Sequence, residues 1–237
     1  MSLPAKTLHF IWWQGWSSGP QSAPSDAVRW VQEWQLSHPA FDAQRWDEAS
    51  FYQVAVPHLE AAFPHVRDIF ARLRAAVEKV DLARWLILYA FGGVYLDCDM
   101  RCMTGVAALY DECLRDNTIF LAKEPGGCLN NAIICCARPG DAAVHAICIG
   151  LFQRILMFSS ASDWPGTLVV TGPVAITSII NSNQIIVGRF RIENGGPLVF
   201  GAGSKSTYVR SAETPSDVAA GMLYFAFCLY PAHAVQF

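Results

Sequence analysis

Charge is scarce in this chain of 237 residues: Asp, Glu, Lys and Arg together make up 16% of it, against roughly 25% in an average soluble domain. The 17 basic and 20 acidic side chains nearly cancel, at a net charge of −3. No basic block occurs, which removes the non-specific phosphate attraction behind nucleic-acid binding. Long hydrophobic runs are missing as well. A spanning helix needs about 20 apolar residues in a row; the best stretches, 85–96 and 222–230, are shorter, and Gly92-Gly93 interrupts the first. The N-terminal residues carry Lys6 but no long apolar region ahead of a small-residue cleavage site, so no secretory leader is expected. The cysteines at 98, 102, 113, 128, 135, 136, 148 and 228 contain no C-x-x-C pair. That excludes the usual zinc spacing and leaves them as small buried hydrophobes of a reducing compartment. The expectation is a soluble, cytoplasmic protein, with peripheral membrane contact left open.

What the chain does have is apolar content: 53% of its residues are hydrophobic, enough to bury a sizeable core at this length and to exclude disorder as the dominant state. Composition and periodicity predict a first strand over 7–13 and a helix over 25–36, capped by Ser25 with Val28, Val31, Trp34 and Leu36 on its apolar side. A strand over 41–46 and helical residues over 47–54 follow. From 59 to 91 the pattern is mostly helical, broken at Pro64 and stopped by Gly92-Gly93. Strands are expected at 94–99, 118–122, 132–136, 168–170, 185–187 and 198–200, and helices at 106–115, 141–158 and 173–180. Strands alternating with helices indicate one α/β domain over 1–237, its mixed, largely parallel sheet flanked by helices.

The informative stretch is DLARWLILYAFGGVYLDCD, residues 81–99. On the strand expected over 94–99, Tyr95, Asp97 and Asp99 share one face, because successive side chains alternate. The two carboxylates then lie about 7 Å apart, at ~3.3 Å rise per residue. Like charges that close call for a cation, and hard oxygen ligands suit magnesium or manganese better than zinc. Asp81 and Arg84 stand one helical turn apart, the spacing of an ordinary surface ion pair. The acidic pair follows an apolar strand, and ligands of open α/β sheets bind at the carboxyl ends of strands.

The run resembles the D-x-x-R-y-x-x-L-y-x-x-G-G-x-Y-x-D-x-D signature of the D-x-D glycosyltransferases of glycosyltransferase family 32. That family includes the initiating mannosyltransferases of yeast and, more distantly, resembles the glucosylating clostridial toxins. Asp81, Arg84, Leu86, Leu88, Tyr89, Gly92, Gly93, Tyr95, Leu96, Asp97 and Asp99 occupy its positions. LPAKTLHFIWWQG is similar to the family's opening segment, Asn131-Ala132 with Arg138-Pro139-Gly140 to its N-A … G-H-P segment without the histidine, Thr171-Gly172-Pro173 to its T-G-P loop, and Leu229-Tyr230-Pro231 to its late F-Y-P element. The resemblance implies a GT-A-type domain that moves a sugar, with retention, from a UDP- or GDP-linked donor to a hydroxyl of a glycan, lipid or protein acceptor, with Mn2+ or Mg2+ as cofactor. It assigns the metal to Asp99 and Asp97, the donor sugar to Asp81, Arg84 and Asp97, and the base to Trp12. Tyr95, Asn131 and Gly172 complete the donor site. The family commonly closes with an H-x-x-x-S-W segment. His233 is either a third metal ligand in its place or a tail residue with that segment missing, which motivates the alternative of a non-catalytic nucleotide-sugar-binding module. A haloacid-dehalogenase-type phosphatase also uses D-x-D at a strand end, but its motif stands near the N-terminus and continues to Thr or Val where this chain has Arg101.

Overall fold

The computed structural model describes residues 6–17, 21–102, 105–123, 128–159, 165–183 and 188–194. The strands expected at 185–187 and 198–200, the 229–231 element and His233 lie outside the described residues.

In chain order the elements are β1 (Thr7–Ile11), α1 (Ser25–Ser37), β2 (Asp42–Trp46), α2 (Glu48–Ser50), a π-helical turn (Phe51–Ala55), α3 (Val56–Leu59), α4 (Val66–Phe70), α5 (Ala76–Phe91), β3 (Gly93–Leu96), α6 (Ala107–Asp116), β4 (Ile119–Lys123), β5 (Leu129–Cys136), α7 (Ala142–Ser159), α8 (Thr167–Val170), α9 (Pro173–Ser182) and β6 (Phe190–Asn194). The strands form one sheet in the order β2-β1-β3-β5-β4-β6. Its pairings are parallel at β1–β2, β1–β3 and β4–β6 and antiparallel at β3–β5 and β4–β5. The sheet is therefore mixed, as expected for this α/β class.

Central strands are apolar on both faces because helices cover both. Leu8, Phe10, Val94, Leu96, Phe120, Ile133 and Cys135 point into one core with Val31, Trp34 and Tyr110. Their alternates Ile11, Tyr95, Ile119, Leu121, Ile134 and Cys136 point into the other, against α5 and α7. Gly93 joins α5 to the sheet in a way no other residue could. Its φ is +100°, and a Cβ there would stand 2.5 Å from the Thr7 carbonyl oxygen and 2.9 Å from His9 Nε2. His9 sits beneath that turn. Its Nδ1 accepts from Trp46 Nε1 at 3.1 Å, so the proton is on Nε2, which donates to the Gly92 carbonyl at 2.8 Å. Burial drives the His9 pKa down to about 4, against the opposing Gly92 bond. No described helix is long and apolar enough to cross a membrane.

Four expectations need correcting. Ser25 is the first helical residue and Pro24 holds the cap position, without a side-chain cap bond. The buried stripe of α1 is Ala27, Trp30, Val31 and Trp34, while Leu36 is 82% exposed; two residues past Trp34 is about 200° around the helix, on the other side. Residues 168–170, read as a strand from their β-branched composition, form the helical turn α8, begun after Gly166 at φ +92°. Finally, β3 ends at Leu96, and a turn closed by Met100 N–H on the Asp97 carbonyl at 3.2 Å takes its place. Asp99 sits on that turn, off the strand face that alternation assigned to it. Strand β6 had no counterpart in the expected elements.

Candidate active site

Helix α5 carries three charged residues on an otherwise apolar buried stripe. Glu78, Asp81 and Arg84 are each no more than 4% exposed, spaced i, i+3, i+6 so that they rise along one face. Helical geometry brings Arg84 under the end of β3. There its guanidinium meets two carboxylates: Nη2 lies 2.8 Å from Asp81 Oδ1 and Nη1 lies 3.1 Å from Asp97 Oδ1. Nη1 also donates to the Asn131 carbonyl at 2.5 Å, and the guanidinium lies 4.6 Å from the Tyr95 ring centroid. Asp81 and Arg84 are thus a buried pair within a network rather than the surface pair their spacing suggested.

The carboxylates differ in access. Asp81 Oδ1 accepts from Asn131 Nδ2 at 3.0 Å and Oδ2 from the Thr171 hydroxyl at 3.2 Å. Asp97 accepts from the Tyr95 hydroxyl at 2.5 Å but keeps 20% of its side-chain surface open. Burial raises the Asp81 pKa, opposed by Arg84, Thr171 and Asn131. For Asp97, burial outweighs Arg84, and the neighbouring Asp99 charge adds to it, pushing the carboxyl up to about 7. Burial also raises Tyr95 well above the usual phenol range, which keeps its hydroxyl a donor.

Trp12 and the D-x-D turn are neighbours because β1 and β3 are parallel and end together. Cys98 Sγ donates to the Ile11 carbonyl at 3.1 Å, tying the turn to the residue before Trp12 and turning the thiol away from the carboxylates. Trp12 is half-buried, its indole N–H on the Gln21 carbonyl at 2.9 Å. Trp13 takes the opposite side of the chain and stacks on Phe70 at 5.5 Å between centroids. One tryptophan is left at the strand ends, the other is core. Gly172, at the start of α9, is buried where a Cβ would stand 2.9 Å from Leu168 Cα.

The structure therefore gathers Asp81, Arg84, Tyr95, Asp97 and Asn131 into one connected network. Asp99 and Trp12 stand beside it at the strand ends, and Gly172 is next in sequence to the network's Thr171. One member escaped sequence reasoning as a site residue: Thr171, known there only as part of a loop motif. Glu78, one turn before Asp81 on the same face, is buried beside the network but bonds the start of α5 and Thr167.

Among the described residues, no group of three His, Cys, Asp or Glu side chains converges as a cation cage. Asp97 and Asp99, two partly open carboxylates on one turn, fit a hard divalent ion of the kind held by one or two carboxylates with phosphate oxygens and water completing the shell.

The mixed sheet flanked by helices is a fold of the GT-A type, and solved structures that share it include two glycosyltransferase domains. The chain matches the PaToxG glycosyltransferase at TM-score 0.58 and 13% identity, over 78% of this chain and 72% of that one. It matches the UDP-bound glycosyltransferase domain from the YGT toxin at 0.50 and 10%, over 81% and 80%. More particularly, residues 24–119 match the family model described as glycosyltransferase sugar-binding region containing DXD motif. Curated relatives include an uncharacterized glycosyltransferase, L373, of Acanthamoeba polyphaga mimivirus, 28% identical over 40% of this chain and 35% of its own. Another is inositol phosphoceramide mannosyltransferase 3 of Schizosaccharomyces pombe, 24% identical over 60% of this chain and 36% of its own. The chain spans about a third of the length of these relatives.

Proposed function

We propose that this chain transfers a glycosyl unit from a nucleotide-diphosphate sugar to an acceptor hydroxyl, with retention at the anomeric carbon. The observation that carries the reading is the Arg84 guanidinium held between Asp81 and Asp97 directly behind the D-x-D turn. A donor lying across the strand ends would place its base against Trp12, its diphosphate at the turn, and its sugar over Asp97 and the Arg84 network. A divalent ion at Asp97 and Asp99, manganese or magnesium, would supply charge neutralisation for the departing nucleoside diphosphate. Tyr95 and Arg84 fix the orientation of Asp97, and the network fixes the donor sugar. The bond from anomeric carbon to phosphate oxygen breaks and the nucleoside diphosphate departs; the acceptor oxygen forms the new bond to that carbon as its proton passes to the departing phosphate oxygen. The UDP-bound state of one structural neighbour supports a nucleotide donor. Base, sugar and acceptor are left to experiment, and a cytoplasmic setting stays a proposal resting on cysteine usage.

The test is hydrolysis of a UDP- and GDP-sugar panel with manganese, with NMR of the released anomer. Turnover of an α-linked donor to the α-sugar is expected; β-product would remove retention, and binding without turnover would favour a non-catalytic module. Asp99→Asn should lose metal-dependent turnover with an unchanged melting temperature, because a partly exposed turn carboxylate adds little to stability. An Asp99→Asn variant with full turnover would remove the metal assignment.

A further inference from the structure

Helix α8 is a single turn, yet it places two hydroxyls against the buried charged stripe of α5. Thr167 Oγ1 lies 3.2 Å from Glu78 Oε1, and Thr171 Oγ1 lies 3.2 Å from Asp81 Oδ2. The threonines are four residues apart and the carboxylates three, so both pairs span about one turn and register side by side. The two carboxylates are otherwise used differently. Glu78 accepts the Arg74 and Ala75 amides at 2.8 and 3.1 Å, which ties down the start of α5. Asp81 faces Arg84, and through it Asp97.

We propose that Thr171 is a positioning residue for the donor sugar. By holding Asp81 Oδ2 it keeps Oδ1 turned to Arg84, and thereby keeps the guanidinium aligned under Asp97. The hydroxyl has one proton and two acceptors in reach, the Thr167 carbonyl standing at 3.4 Å. The carboxylate is closer and charged, and takes it. Thr171 is fully buried, so water does not replace a missing hydroxyl, and Asp81 Oδ2 loses the bond that fixes the rotation of the carboxylate. Thr167, bonded to a carboxylate that does not reach Asp97, serves the packing of α8 on α5 alone. The chain Thr171–Asp81–Arg84–Asp97 extends from the T-G-P loop to the first carboxylate of D-x-D, and the inference rests on the proposed donor reading.

The experiment compares Thr171→Ser with Thr171→Ala, which differ by one oxygen atom, and uses Thr171→Val, which keeps the threonine shape, should the alanine variant not fold. Affinities are measured with manganese for UDP and UDP-glucose, and for GDP and GDP-mannose, on whichever pair the unaltered chain binds. Loss of one hydrogen bond to a charged group should weaken the sugar nucleotide about tenfold in Thr171→Ala while the bare nucleotide stays within about twofold. Thr171→Ser should restore the wild-type ratio. Thr167→Ala should lower the melting temperature and leave the ratio alone. Equal weakening of nucleotide and sugar nucleotide, an unchanged ratio in Thr171→Ala, failure of serine to rescue, or the same ratio change in Thr167→Ala would each overturn the proposal. A wild-type chain that binds neither pair removes the donor reading itself, and is told apart because it fails before any variant is compared.

Discussion

Arg84 shows how much one side chain can carry. Both carboxylates it faces are buried or partly so, and removing one partner of a buried pair typically costs about 3–5 kcal/mol because the other charge is left uncompensated. Arg84→Met should therefore lower stability by about that much in urea unfolding and abolish donor binding as well. A variant of wild-type stability would mean that the carboxylates are neutral or solvated. Trp12 belongs at the same scale but should behave differently. It is half-buried at the strand ends, so Trp12→Ala should melt within a few degrees of the parent. It should weaken nucleotide and nucleotide-sugar alike, by the ~1–3 kcal/mol of base–aromatic stacking. A loss of stability with nucleotide affinity intact would make Trp12 a core residue. Its place against the base was read from the resemblance of the opening segment; alternation in a sheet buried on both faces does not choose between Trp12 and Trp13.

At the scale of elements, the α5–β3 joint decides where the site stands. Gly93 and Gly15 have nearly the same φ, +100° and +103°, but a Cβ at Gly15 meets nothing within 4 Å while one at Gly93 meets Thr7 O at 2.5 Å. Comparing the two separates conformational strain from collision. Gly15→Ala should cost about 1–2 kcal/mol, the penalty of positive φ for an L-residue, whereas Gly93→Ala should add the displacement of β1 and His9 and lose several times more in chemical unfolding. Equal losses would mean that β1 yields freely. The glycine pair was legible in the sequence as a helix stop. Its second task, close passage of the chain against β1, was not, because it depends on a strand 80 residues away. The same limit explains α8: Thr167, Leu168, Val169 and Val170 have strand-like composition, but hydroxyl bonds to α5 and the Gly166 turn select a helical one.

For the whole molecule, two buried groups titrate in opposite senses. His9 is depressed from 6.5 to about 4, so the unfolded chain takes up its proton first and stability is lost as pH falls from 6.5 toward 4. Asp97 is raised from 3.8 to about 7, so the folded chain takes up its proton first and stability is gained as pH falls through 7 toward 3.8. At 1.36 kcal/mol per pKa unit each change is on the order of 3–4 kcal/mol, and Asp81, also raised by burial, acts in the sense of Asp97. Between pH 6.5 and 4.5, Asp97→Asn should therefore lose roughly 2–3 kcal/mol more stability than metal-free wild type, in which Asp97 offsets His9. Parallel slopes for the two proteins in thermal or urea unfolding would refute the opposition.

The sequence by itself determined the alternation of strands and helices, the two buried faces of the sheet, and the place of the acidic pair where a strand ends. All of these follow from local periodicity and composition. Asp97 and Asp99 stood out by their spacing at a strand end, and Asp81 and Arg84 through the resemblance of the nineteen-residue run to a known signature. Only the tertiary structure decided that Asp81 and Arg84 are buried rather than a surface pair. An i, i+3 spacing places two side chains on one face, and what covers that face comes from β5 and the end of α8, some 50 and 90 residues further along the chain. The same holds for Thr171, whose part in the site arises from the end of α8 lying against α5.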